Sequence, residues 1–198
     1  EAITRSDAKA AVMAHHGAVC MGVDYDDAFN VAKRLEDVCE QFVLDRYTAL
    51  TGVVTDKLTT INDYVVDDRY VNQVAHLLER GTKIDVIGSQ MHLFDPQLCL
   101  DIAAGKHLDA SSKLVDPSTV RPYFEKLGSF GVPVCLSEIT ITSAGEGERG
   151  EMIQAIITRN LYRLWFSLPS MMGITWWNIV DNCGAPGEPN ISGLFRRD

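Results

Sequence analysis

Four short apolar or β-branched runs recur near residues 58, 84, 132 and 173, with a helical pattern between each pair. That alternation constrains the fold more than any other feature of the chain. Strands separated by helices of this length form crossover units, whose strands run parallel and whose connections are right-handed. The expected class is therefore α/β. The third run, Gly131-Val-Pro-Val-Cys-Leu-Ser-Glu138-Ile-Thr-Ile-Thr142, is continuously apolar apart from one carboxylate near its far end. A parallel strand covered on both faces has this character. Four strands do not close an eight-stranded barrel, so the chain forms either a small open sheet or part of a barrel whose remaining strands lie outside it.

The helices carry recognisable start and stop signals. Asp24 with Asp27 reads as an N-cap followed by an acidic first turn, and Ala28, Phe29, Ala32, Leu35, Val38, Cys39, Phe42 and Val43 repeat at helical spacing. This predicts one helix over 24–50, with Gln41 as the point where it could break, and an apolar face that packs on a sheet. Arg69–Glu79 is a second helix, stopped at Arg80-Gly81. A connection from Asp95 to Asp116 is long enough to hold a short helix, and Asp116-Pro117 starts another. Residues 145–150 read as a mobile acidic turn, and Met152–Leu168 as a covered helix ended by Pro169. The Ala-rich stretch 5–19 predicts an irregular helix.

Composition excludes several functions. With 198 residues and 46% hydrophobic content the chain can bury a core of its own. Its 18 basic and 27 acidic residues give a formal charge of −9 without a cationic stripe, so nucleic acid is not an expected partner. No run of 18 apolar residues is present, so no membrane span is expected. Cys20, Cys39, Cys99, Cys135 and Cys183 are widely spaced and form no ligand pattern with histidine, which argues against zinc and leaves room for one or two disulfides. Cys135, inside the apolar run, reads as a core residue. No Gly-rich loop follows a strand, which disfavours a doubly wound nucleotide-binding domain.

Each strand ends in a different polar group: Asn62, Asp63 and Tyr64 on the first, Gln90 and His92 on the second, Glu138 on the third, and Trp176, Trp177, Asn178 and Asp181 on the fourth. In a parallel α/β barrel chemistry sits at these C-terminal ends. One rim would thus gather a carboxylate, an imidazole, amides and an indole face. Sugars call for that combination, because planar polar groups bond their hydroxyls while their C–H faces lie on aromatic rings. Glu138 would be a nucleophile toward an anomeric carbon, with a second carboxyl group about 5–5.5 Å away for retention or about 6.5–9.5 Å away for inversion. A nucleophile of this kind wants a low pKa and a hydrogen-bond donor, which His92 can supply. Neighbours on a strand alternate, so Trp177 is expected in the pocket and Trp176 in the core. Trp165, Met91, Met171 and Met172 read as packing residues. His15, His16, His76 and His107 have no partners at ligand spacing and read as solvated, and Asn190-Ile-Ser192 fits a glycosylation sequon.

These strand ends resemble those of the glycoside hydrolase family 10 xylanases, retaining enzymes on a (β/α)8 barrel. Ile61-Asn-Asp-Tyr64 resembles that family's fifth strand, Ile84-Asp-Val-Ile-Gly-Ser-Gln-Met-His92 its sixth, Val134-Cys-Leu-Ser-Glu138-Ile-Thr-Ile141 its seventh and Gly173-Ile-Thr-Trp-Trp177 its eighth. Gly193-Leu-Phe195 and Arg197-Asp198 resemble the segment before the last helix. Glu1-Ala2 is similar to the end of the fourth-strand motif W-D-V-V-N-E-A, and Tyr25-Asp-Asp-Ala-Phe29 adds to the match. The resemblance implies that residues 1–198 supply one partial catalytic barrel, from the end of strand 4 through strand 8. The N-terminal half would come from the same or a companion chain.

The resemblance further implies that Glu138 is the nucleophile, His92 its orienter and Glu1 the general acid/base. Gln90 and Asn62 would support the glycone side, Tyr64 the aglycone side, and Trp177 would be the sugar platform. No metal or organic cofactor is implied, and secretion or a periplasmic location is. Several positions depart from the family pattern. Thr140 stands for the usual Asp, Asn178 for the usual Gly, a second Trp after Asp181 is missing, and Arg34–Lys57 is longer than the usual connection. The expected activity is retaining hydrolysis of β-1,4-xylan. The alternatives are another β-glycan on the same barrel, or a catalytically silent carbohydrate-binding or structural half-barrel.

Overall fold

The computed structural model describes residues 9–13, 17–106 and 114–196. They fall into two compact units, Glu1–Lys57 and Leu58–Asp198.

In the first unit, β1 (Ala10–Met13) and β2 (Gly17–Cys20) pair antiparallel, with Ala10 opposite Cys20. The helix expected over 5–19 is thus replaced by a two-stranded ribbon. Gly17 costs a helix interior about 1 kcal/mol, and what precedes it in the expected helix is no longer than the roughly 12 residues at which an isolated helix is still marginal. Cross-strand pairing satisfies the same backbone groups. Helix α1 (Tyr25–Thr51) follows without a break at Gln41, and Asp24 caps it by accepting from the Asp27 N–H. Its C-cap is Gly52, at φ 73°, a left-handed conformation that glycine adopts without strain. The predicted apolar face of α1 does not pack as expected: Phe29, Val38, Phe42 and Val43 are exposed, and only Val31 and Tyr47 are buried. A 27-residue helix is about 40 Å long, whereas strands of four residues span roughly 13 Å. The ribbon of this unit is too short to cover it.

The second unit is a four-stranded parallel sheet in the order β3–β4–β5–β6. Its strands are β3 (Thr60–Asp63), β4 (Val86–Leu93), β5 (Val134–Ile141) and β6 (Met171–Trp176). Sequential neighbours with no reversal of strand order are what a barrel wall requires, and a doubly wound sheet would show a switch point. Between the strands lie α2 (Asp68–Glu79), α3 (Pro96–Ala103), α4 (Pro117–Gly128) and α5 (Glu148–Trp165). Asp67, Asp95 and Asp116 cap the first three by accepting backbone N–H groups of Arg69, Gln97 and Ser118. Helix α5 begins earlier than expected, so part of the anticipated mobile turn is its first turn. Glu148 and Glu151 favour that N-terminus.

Helix and strand faces meet in one core containing Val74, Ile87, Phe124, Leu127, Val134, Leu136, Ile139, Leu161 and Trp165. Met91, Met171 and Trp165 are buried as the sequence predicted. All five cysteines are free thiols, and burial pushes Cys135 up to about 11, consistent with an inert packing residue. Gly88 sits where β3 crosses closest. A Cβ there would lie 3.0 Å from the Ile61 carbonyl oxygen and 3.1 Å from Asn62 Oδ1, so the glycine permits the approach that joins β3 to β4.

Burial separates two phenylalanines cleanly. Phe124→Ala should cost about 3–5 kcal/mol of stability through lost transfer energy and a cavity, because Phe124 is fully buried. Phe42→Ala, at 71% exposure, should stay within about 0.5 kcal/mol of the parent. Urea unfolding of both variants checks the contrast, and equal losses would contradict this core.

Candidate active site

The site is built at the C-terminal ends of β4 and β5. Up to Ser89, these strands pair residue for residue, with Gly88 opposite Cys135 and Ser89 opposite Leu136; the next pairs are Gln90 with Glu138 and His92 with Thr140. Ser137 is the extra residue, a β-bulge that changes the phase of β5. Strict alternation would have put Glu138 on the side of Leu136, which is fully buried. The bulge instead aligns the carboxylate with the half-buried Gln90 and His92. Ser137 itself donates to Asn62 Oδ1 at 2.5 Å and to the Ser89 carbonyl at 3.3 Å, which brings β3 into the rim.

A continuous hydrogen-bond network follows. Gln90 Nε2 donates to Glu138 Oε1 at 3.0 Å. An ionised carboxylate only accepts, so the amide nitrogen must face it and Gln90 Oε1 must face away. That oxygen lies 3.2 Å from His92 Nε2, so Nε2 carries the proton. His92 Nδ1 is then the acceptor, 3.0 Å from the Thr140 hydroxyl, which donates. The assignment comes from the network as a whole. Phe94 stacks on the imidazole with centroids 4.7 Å apart.

His92 Nε2 also lies 3.6 Å from Glu138 Oε2. Burial holds the imidazole below its usual range, opposed by the charge of Glu188, so at neutral pH this contact joins a neutral ring to a carboxylate and is no ion pair. Glu138 is itself held above the usual carboxylate range, by desolvation first and by the Glu188 charge second. The sequence-level expectation of a low-pKa nucleophile is therefore not met: its one direct hydrogen bond from Gln90 does not offset those two effects.

The sequence did not single out Glu188, which lies in the turn after β6. Its Oε1 accepts from Trp177 Nε1 at 3.1 Å, and its Oε2 from Asn178 Nδ2 at 2.9 Å and from the Ala185 N–H at 3.0 Å. The available signal was a carboxylate in a Gly/Pro turn on the rim side of the last strand. Trp177 is 45% exposed, while Trp176 packs against the core and donates to the Ser192 carbonyl. The alternation predicted for the pair is therefore observed, although β6 ends at Trp176.

The structure thus brings together Gln90, His92 and Glu138, with Asn62 alongside through Ser137 and Trp177 through Glu188. Tyr64 is largely exposed, one residue past β3, and is not among the hydrogen-bond partners of Glu138. Glu1, Ala2, His15, His16, His107, Arg197 and Asp198 lie outside the described residues. His76 is exposed, as expected. Ser192 of the sequon is buried, with its hydroxyl donating to the Pro189 carbonyl. Among the described residues no cluster of three His, Cys, Asp or Glu side chains could hold a metal ion, and no helix is long and apolar enough to cross a membrane.

Residues 20–184 match the family model for glycosyl hydrolase family 10. The intracellular xylanase TsXylA of Thermoanaerobacterium saccharolyticum JW/SL-YS485 is similar in structure, with a TM-score of 0.54 at 18% identity, covering 89% of this chain and 46% of that one. Native xylanase 10B of Thermotoga maritima gives 0.50 at 19% identity, covering 73% and 42%. A β-glucuronidase of Faecalibacterium prausnitzii gives 0.49 at 19%, covering 88% and 26%. The chain spans less than half the length of these solved structures. At such identities the likeness is one of fold. No curated protein matches the sequence significantly.

The network makes His92 a neutral acceptor at Nδ1. Carbon-13 NMR should show its imidazole titrating below the free-histidine midpoint, neutral at pH 7 and charged only on further acidification. Thr140→Val, which removes the one donor to Nδ1 among the described residues, should cost about 1–3 kcal/mol. A midpoint above that of free histidine would contradict the neutral ring.

Proposed function

Because the chain belongs to glycosyl hydrolase family 10, with four parallel strands that form part of a (β/α)8 barrel, we propose that it carries the nucleophile half of a retaining β-1,4-xylan hydrolase. The observation that supports this reading most is the bulge-aligned Glu138, hydrogen-bonded by Gln90 and flanked by His92 on a rim that also holds Trp177. The similar fold of the two xylanases supports xylan as the substrate class.

In this mechanism Glu138 attacks the anomeric carbon as the general acid protonates the leaving oxygen. The C–O bond to the leaving group breaks and a glycosyl ester forms on Glu138. The same second carboxyl group then takes a proton from water, which displaces Glu138 with overall retention. Glu1 is proposed as that acid/base. Gln90 keeps one oxygen of Glu138 fixed, leaving the other for attack, and the neutral ring of His92 limits where the carboxylate can turn. The Trp177 indole offers a face for a sugar ring, and Asn62 and Tyr64 extend the site. Among the described residues nothing calls for a cofactor or metal.

The remaining barrel strands are proposed to come from further polypeptide, continuous with this chain or in a companion, and the active protein is proposed to be secreted or periplasmic. Hydrolysis of another β-glycan is the second reading, favoured by the departures at Thr140 and Asn178.

Intact mass of the active preparation should reveal polypeptide beyond the 21.9 kDa of this chain. Within that protein Glu138→Gln should lower xylan hydrolysis by roughly 10⁴-fold or more, as loss of a nucleophile does elsewhere. Proton NMR of the first product should show the β-anomer. Release of the α-anomer would overturn retention, and faster release of reducing ends from mixed-linkage glucan than from xylan would favour the second reading.

A further inference from the structure

The turn after β6 carries a carboxylate that the proposed chemistry does not use. Glu188 lies between Gly187, at φ 95°, and Pro189, and its own N–H closes the turn on the Ala185 carbonyl at 3.0 Å. Both carboxylate oxygens are occupied. Trp177 Nε1 donates to one; Asn178 Nδ2 and the Ala185 N–H donate to the other. Asn178 is buried and is held in turn by the Ser192 hydroxyl at 3.1 Å. Gly184 leaves room for this arrangement, since a Cβ there would lie 2.9 Å from Glu188 Oε2. The carboxylate is therefore fixed from three directions by neutral donors. Dipoles orient and stabilise it while leaving its net charge uncancelled.

An indole ring can bind a sugar face only in an orientation that presents that face. Trp177 is nearly half exposed, and its N–H bond to Glu188 is its one recorded side-chain hydrogen bond. We propose that Glu188 is a positioning residue that fixes the plane of the Trp177 indole. The proposal rests on the reading of this rim as a sugar site. It adds a residue from the turn to a set otherwise drawn from strand ends.

Among the described residues His92 from β4 lies 3.6 Å from Glu138, the uncharged Asn62 of β3 reaches it through Ser137, and Glu188 of the turn acts on it by charge alone. The Glu188 charge acts on both members of the Glu138–His92 pair in the same direction, favouring the proton-bound form of each. Removing it should move both titrations downward. For a nucleophile that reacts ionised, the acid limb of activity then extends to lower pH.

Two variants of the full chain separate the roles. Glu188→Gln keeps a carbonyl oxygen for the indole N–H and removes the charge, whereas Glu188→Ala removes both. Nitrogen-15 correlation spectra would follow the Trp177 indole N–H, assigned by its loss in Trp177→Phe. The expected result is a hydrogen-bonded, exchange-protected indole in the parent and in Glu188→Gln, and an unprotected one in Glu188→Ala. Carbon-13 titration of the Glu138 carboxyl should give a lower midpoint in both variants. An indole unaffected by Glu188→Ala, or one released as fully in Glu188→Gln as in Glu188→Ala, would overturn the proposal. Both readouts work without turnover, so absence of xylan hydrolysis in the parent would count against the sugar-hydrolase reading alone. Where the parent does hydrolyse xylan, Glu188→Ala should raise KM more than it lowers kcat, and Glu188→Gln should shift the acid limb with KM little changed.

Discussion

The β4–β5 ladder and its bulge at Ser137 are what the site depends on. A parallel strand interior is apolar on both faces, and a carboxylate in it has no partner. By inserting one residue, β5 keeps Leu136, Ile139 and Ile141 in the core and turns Glu138 toward Gln90 and His92. The same residue ties the bulge to β3 through Asn62. Fold and site therefore share one irregularity. Pairing up to Ser89 maintains the sheet, and pairing beyond it maintains the chemistry.

Electrostatically the rim is short of positive charge. His92 is neutral, Gln90 and Asn178 are amides, and the two carboxylates Glu138 and Glu188 are stabilised by dipoles. Glu188 has three donors and is held below the usual carboxylate range: hydrogen bonds from Asn178, Ala185 and Trp177, with the attraction of His92 once acid protonates that ring, outweigh the larger single effect of its desolvation. Glu138 has one donor and sits above that range. The two carboxyl groups are thereby pushed apart in proton affinity, each by its own surroundings.

Two of the positions that depart from the family pattern contribute side-chain hydrogen bonds at the rim. Thr140 replaces an acid and donates to His92 Nδ1, which fixes the tautomer of an imidazole that burial holds below its usual range. Asn178 replaces a glycine and donates to Glu188, which in turn holds Trp177. Each position introduces a neutral donor, one beside the His92–Glu138 pair and the other beside the Glu188–Trp177 pair.

The sequence by itself determined the second unit well. Apolar runs separated by capped helices leave few arrangements other than parallel crossovers, and Asp67, Asp95, Asp116 and Gly88 act locally, where the chain alone sets geometry. It also named Glu138, Gln90, His92, Asn62 and Trp177 as rim residues, because strand ends in a parallel sheet lie together. It misjudged residues 10–20 and the face of α1, since periodicity records that a surface is apolar but not whether anything large enough lies against it. Only tertiary structure decided the phase of Glu138, the tautomer of His92 and the presence of Glu188. A bulge is visible only against its partner strand, a tautomer only through all its hydrogen bonds, and a turn carboxylate 50 residues from Glu138 acts on it only once the sheet has brought both to one rim.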